Sequence, residues 1–398
     1  MQLRALVFFL FLPSLALGDQ VVFRGNYYRD RNTRVLIPEV EFSKESRSGT
    51  VLGGHYLLDA ITSASAAAGV VTDQPFTELR NEFGVSVGQR IGPARLSAGY
   101  AYSSESDYWA HLATLGVVLD LFQHNTTLAG SIAYGVDYVG QRQGAGAVIP
   151  KGSLQSFHAI LSLSQVLTPR VLANLSYELD ILGFGSDVGS VSGTPTPNSG
   201  YQGNPYRTVL VAGSPTPEAV PFQRYRQEIA GSLHLILPTP LRLMPYITFR
   251  PGYRFYFDDW GILSHAPEMR SYVPMGPVEL RLTGRYYQQT EASFWSEIYG
   301  KPNYTESTGK RCTTCYFSQS RKSFYTSDPK LAAFSALYFE LRLLIDFSQV
   351  RRRPRSPFGK WLGDAVLEFS YGHYFNSGYS HTAFGDADIG GLAVTLPL

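Results

Sequence analysis

Charged side chains at even spacing are the residues of this 398-residue chain best placed to do chemistry. Arg250 and Arg254 lie four apart, as do Arg281 and Arg285. On an extended segment successive side chains alternate between two faces, so each pair shares a face. With one segment between them, the four arginines form a basic wall. Glu39, Glu41, Glu178, Asp180 and Glu228 fall where they line other walls. Two readings are open: a polarised, water-filled pore whose charges set ion preference, or an interior filled by ion pairs that only hold the wall together. Asp59 and His55 also lie four apart on one face. They resemble a base and its orienting carboxylate loosely, and an internal hydrogen bond is the plainer account.

The two cysteines, Cys312 and Cys315, are the other candidate site, with Lys310, Arg311, Arg321 and Lys322 close by in sequence. In an oxidising compartment, cysteines this close form a loop disulfide. A metal site needs more ligands, and there is no second C-x-x-C or close histidine pair. A redox role needs a low thiol pKa, which basic neighbours supply, but no thioredoxin-like βαβ pattern surrounds the pair. The eight histidines are scattered, and no G-x-S-x-G, H-E-x-x-H or P-loop is present. No catalytic residue, metal ligand or cofactor is assigned.

The elements that must position these residues have a period of two. In Thr33 to Thr62, Leu36, Pro38, Val40 and Phe42 share one face, and Glu39, Glu41 and Ser43 the other. After the break Glu45-Ser46-Arg47-Ser48-Gly49, the residues Leu52, Tyr56, Leu58 and Ala60 oppose His55 and Asp59. This is a hairpin with arms of about 12 residues, roughly twice the common soluble strand, and long enough to cross a bilayer at a tilt. The unit recurs to the C-terminus. The weakest members are the first strand and PEMRSYVP (267–274); segments 140–153 and Pro238-Thr239-Pro240 read as connections. The total is about sixteen strands, between about 14 and 18. Short breaks alternate with long ones, as in outer-membrane barrels, where periplasmic turns are short and external loops long. Tyr, Phe and Trp in 249–260 and 282–295 suit an interfacial aromatic girdle. The fold class expected is all-β, a transmembrane antiparallel up-and-down barrel.

Residues 1–18 read as a signal peptide, with Arg4, an apolar run and Ala16-Leu17-Gly18 before Asp19. Residues 19–398 then form a single barrel domain. Net charge is +2, which gives no argument for a nucleic-acid partner. Mean hydropathy of −0.09 is compatible with a barrel, whose polar lumen and loops mask the apolar belt.

NYYRDRNTRVLIPEVEFSKE and YLLDAITSAS resemble the opening of a family of uncharacterised Gram-negative outer-membrane β-barrels. The matching positions are Tyr27, Tyr28 and Asp30, then Asp59, Ile61, Thr62, Ala64 and Ser65. Thr62 stands where the pattern favours Ser, and Ser63 where it favours Gly. The resemblance implies a fold and an outer-membrane location, with no known activity. Leu392, Val394, Leu396 and Leu398 alternate with Ala393 and Thr395, which resembles the C-terminal signal read by the barrel-assembly machinery, although that signal usually ends in Phe. The expected partners are outer-membrane lipid and that machinery. Three functions follow: a channel or transport barrel for small polar solutes, a plugged structural or partner-binding barrel, and an enzyme acting at the external rim.

Overall fold

Period-two alternation over a dozen residues, broken by short polar turns, favours pairing of each strand with its sequence neighbour. The computed structural model shows that arrangement. It describes residues 19–63, 76–143, 147–183, 203, 207–211, 214–296, 299, 324–349, 363–378 and 385–398. The strands are β1 (Gln20–Arg29), β2 (Thr33–Glu45), β3 (Thr50–Ser63), β4 (Phe76–Ile91), β5 (Ala94–Ser104), β6 (Tyr108–Leu121), β7 (Thr126–Gln143), β8 (Ala147–Thr168), β9 (Val171–Leu182), β10 (Thr208–Val211), β11 (Ser214–Pro217), β12 (Arg224–Leu241), β13 (Met244–Asp258), β14 (Leu263–Met275), β15 (Val278–Gln289), β16 (Phe334–Asp346), β17 (Val366–Gly378) and β18 (Ala387–Pro397). All but β10 and β11 form one closed 16-strand antiparallel barrel. β9 pairs with β12, and the ring shuts where β1 pairs with β18 from Gln20↔Pro397 to Arg29↔Asp388. Closure leaves the barrel no sheet edge. β10 and β11 form a separate two-stranded sheet.

The outward face carries the exposed apolar side chains. Leu36, Phe42, Leu52, Tyr56, Leu115 and Leu161 are each about half exposed, at 48–62%. A soluble sheet would bury such a belt, whereas a membrane barrel turns it outward. A 12-residue strand is about 40 Å long and, tilted by about 40°, spans about 30 Å, the thickness of the hydrocarbon layer. Aromatic rings lie over glycines in the wall. Phe42 pairs with Gly54 across β2 and β3, where a Cβ on the glycine would strike its ring.

Three readings of the sequence change. Residues 140–153, read as a loop, largely extend β7 and β8 into a long hairpin with a register shift after Val139, where Lys151 of β8 is the extra residue beside Gly152 at φ 146°. Pro238-Thr239-Pro240, read as a turn, lies inside β12; a register shift between Pro238 and Leu241 absorbs the lost donors, and the reversal falls at residues 242–243. PEMRSYVP, read as a strand, is one, but longer than read: β14 runs 13 residues from Leu263 to Met275, and the two prolines obscure that length.

Connections at one end of the barrel are mostly short: 46–49, 92–93, 122–125, 169–170, 242–243 and 276–277, with 347–365 the long one. Gly49, Gly92 and Gly276 adopt positive φ in three of them. Residues 122–125 do the same without glycine: Phe122, Gln123 and His124 all have φ between 50° and 66°. The opposite end carries the long connections 64–75, 183–223, 290–333 and 379–386 beside four of three or four residues, and its described parts pack into a cap. Val220, Ile262, Ala292, Phe294 and Leu331 are its buried core, with Trp260, Trp295, Tyr256 and Phe324 against them. Trp260, Phe294 and Trp295, read from sequence as girdle residues, therefore serve the cap. Their segments leave the strand period before reaching lipid, and each indole N–H finds a backbone carbonyl at 2.9 Å, Gln223 for Trp260 and Asp328 for Trp295. Tyr253 and Tyr286 of the same segments remain on the exposed face.

Candidate functional site

The face opposite the apolar belt is, in a closed barrel, the inner one, and it is charged. On β13, the Nε of Arg254 meets Glu228 Oε1 of β12 at 3.0 Å, and the Nε of Arg250 lies 3.4 Å from Ser232 Oγ. On β15, Arg281 pairs with Glu279 at 2.5 Å, and Arg285 donates to the Tyr374 hydroxyl at 2.6 Å with its guanidinium over the Tyr338 ring. Between them β14 contributes Arg270, in register with Arg250 and paired to Glu268 at 2.6 Å. β16 adds Arg342, in register with Arg281 and held by Glu340 and Glu368. Arg270 and Arg342 thus continue the basic row; sequence reading passed over them, although both sit at the even spacing that marks the inner face.

Across the barrel the sign reverses. β3 and β13 lie eight strands apart in a ring of sixteen, hence diametrically opposite. Glu39 and Glu41 on β2 share Arg24 of β1 at 3.0 and 3.3 Å. His55 on β3 meets Glu82 on β4 at 3.4 Å, and Asp59 meets Arg80 at 3.5 Å. Asp59 and His55 are therefore each engaged by β4, in two cross-strand polar contacts. Asp59 Oδ1 and Arg80 Nε are buried without a hydrogen-bond partner.

A second acidic group lies at β9 and β12. Glu178 and Glu228 face each other in register, and Asp180 is bonded to His158 Nδ1 at 2.5 Å. β5 to β7 present small groups, with Ser97, Gly116 and Ser131 in register across the inner wall and Gly99 beside them opposite Thr114. The arrangement is a charged inner face with arginines on one wall and carboxylates facing them, most of them held in ion pairs.

The opening motif has local work. The Tyr28 hydroxyl donates to Asp30 Oδ2 at 2.9 Å, while Asp30 Oδ1 accepts the backbone N–H groups of Asn32 and Thr33 at 2.7 and 2.6 Å. Asp30 thereby holds the β1–β2 turn. Ala64 and Ser65 lie outside the described residues, as do residues 1–18 and the pair Cys312 and Cys315.

The chain matches the family described as "Protein of unknown function (DUF3570)" over residues 60–151 and 143–353. It belongs to the DUF3570 family. Ile61 and the positions after it fall inside the matched region of DUF3570, whereas Tyr27, Tyr28, Asp30 and Asp59 precede it. A comparison with curated proteins gives no match. Among solved structures, this DUF3570 chain is similar to a bacterial polysaccharide outer membrane secretin, at 6% identity over 96% of this chain and 98% of that one, with a TM-score of 0.51. It is also similar to OprD from Pseudomonas aeruginosa (9% identity, 96% and 94% covered, TM-score 0.42) and to OpdK from Pseudomonas aeruginosa (11% identity, 96% and 98% covered, TM-score 0.40). Identities this low speak to the fold alone, and the fold is that of an outer-membrane β-barrel.

Proposed function

We propose that this protein is an outer-membrane channel or transport barrel for small polar solutes, delivered to a Gram-negative outer membrane by a cleaved signal peptide over residues 1–18. The carrying observation is the pairing of an exposed apolar belt with an inner face polarised between the β13–β16 arginines and the β2–β4 carboxylates. A ring of sixteen strands has room for water, and opposed charges across water act on a permeating ion in proportion to its sign. In this reading the short-turn end and both chain ends face the periplasm, and the capped end faces outward. Outer-membrane lipid covers the belt, and the barrel-assembly machinery inserts the protein.

The test is conductance of the purified protein in planar bilayers, with fractionation and heat-modifiable gel migration to establish the membrane and N-terminal sequencing to find a start near Asp19. A soluble periplasmic species would remove the proposal. The cap favours a second reading, a closed barrel that binds a partner through its long-loop end: its five-residue buried core marks a structured element over that end. Absence of conductance from a correctly folded barrel would select that reading.

A further inference from the structure

The cap leaves a cavity of about 130 Å³ against the barrel wall. Its apolar side includes Leu154, Leu182, Val220 and Trp260, and four cations line it: Arg207, Arg224, Arg226 and Lys330. Two of the four are neutralised. Arg207 is held between Glu218 at 3.1 Å and Asp328 at 2.7 Å. Arg224 reaches Asp258 Oδ2 through Nε at 2.8 Å and a terminal nitrogen at 2.5 Å, and lies 4.3 Å from the Trp260 ring centre.

The other two make no salt bridge among the described residues. Arg226 Nε is buried with no hydrogen-bond partner. The carboxylates in register with Arg226 are Asp180 on β9 and Asp258 on β13. The first is bonded to His158 and the second to Arg224. Lys330 belongs to a 3₁₀ turn of the cap, Pro329–Leu331, and its ammonium has no salt-bridge partner among the described residues. Burial pushes the Lys330 pKa below the usual lysine value, with Asp328 and Asp30 offsetting part of the shift. A buried donor left without a hydrogen-bond partner, as Arg226 Nε is, is costly, and a bound acceptor removes that cost.

We propose that this cavity is a binding site for a small monocarboxylate with an apolar body. The guanidinium fork matches a carboxylate in two parallel hydrogen bonds. A dry cavity of about 150 Å³ holds benzene, so this one suits a ligand of about six non-hydrogen atoms. The site lies under the cap, and occupying it requires no conduction, so it stands apart from the channel reading.

Calorimetric titration of the detergent-solubilised full-length protein tests the assignment, with butyrate as probe and butyramide as its uncharged counterpart. Butyrate gives saturable heat, and butyramide binds at least about tenfold more weakly. Arg226→Gln and Lys330→Gln each weaken butyrate about tenfold or more, the range of a charge-assisted hydrogen bond, while heat-modifiable migration is kept. No saturable heat with butyrate, equal affinity for butyrate and butyramide, or unchanged affinity in the variants overturns the proposal. If Arg226→Gln does not fold, Lys330→Gln in the cap and the comparison of the two probes on the native chain decide it. A non-conducting barrel that binds butyrate supports this site and removes only the channel.

Discussion

Replacing Asp59 by Asn isolates one charge in the wall, and the structure sets its size. Asp59 is 1% exposed and Arg80 7%. Their closest approach is 3.5 Å, and each keeps an atom without a hydrogen-bond partner. At that separation the attraction is about 5 kcal/mol for an effective dielectric constant of about 20. The long contact is a poor hydrogen bond, so little is added to the Coulomb energy. Removing one member strands the other in a dry site, which costs about 3–5 kcal/mol in comparable cases. The expected outcome is a loss of about 3–5 kcal/mol for Asp59→Asn, read from urea titration of tryptophan fluorescence in lipid vesicles, with an unchanged denaturant slope. The double variant Asp59→Leu/Arg80→Met removes both members of the pair and recovers most of that loss, because a buried pair replaced by apolar groups is often neutral, with Glu105 the one neighbour that loses Arg80. A loss under about 0.5 kcal/mol in the single variant, or a double variant no better than the single, would show that lumen water already solvates Arg80 and would refute the reasoning.

Other perturbations probe other links. In a conducting barrel, Arg281→Glu with Arg285→Glu shifts the reversal potential toward cation preference while heat-modifiable migration persists; unchanged selectivity would take the β15 wall out of the permeation path. Gln123→Gly raises stability by about 1 kcal/mol, because Gln123 has φ 59° and a left-handed residue other than glycine costs about 1–2 kcal/mol; a destabilised variant would mean the Gln side chain holds the turn. Intact mass under non-reducing conditions is expected to show a bond between Cys312 and Cys315, and reduction to leave the urea midpoint in place, since so short a loop removes little unfolded-state entropy. Two alkylatable thiols in the native protein would contradict this.

The wall was legible because alternation is a local property. Leu36 through Phe42 declares its two faces without any knowledge of its neighbours, and the number of such runs yields the number of strands. Proline hides that signal: β14 was visible only between Pro267 and Pro274, and the end of β12 passed for a turn. The partners of the charged residues were not legible, because register depends on where every preceding turn closes. His55 and Asp59 share a face in sequence, yet Glu82 and Arg80 engage them from β4. The cap was invisible for another reason. Its contacts join residues near 220, 260, 294 and 331, and no repeat relates them. The placement of Trp260 and Trp295 beyond the last alternating residue of their strands was the available signal.

The meeting of β1 with β18 joins residue 20 to residue 397, the most distant hydrogen-bonded partners in the barrel. Every other pairing forms between neighbours, so the sheet grows by zippering, but this one waits for the ring to be laid out. Until then the growing sheet has two open borders of complementary register, an adhesive surface on each side. Two copies caught together at that stage carry the same ladder twice over, and β1 of either fits β18 of the other as well as its own. Ring closure within one chain and strand exchange between chains therefore draw on one and the same register.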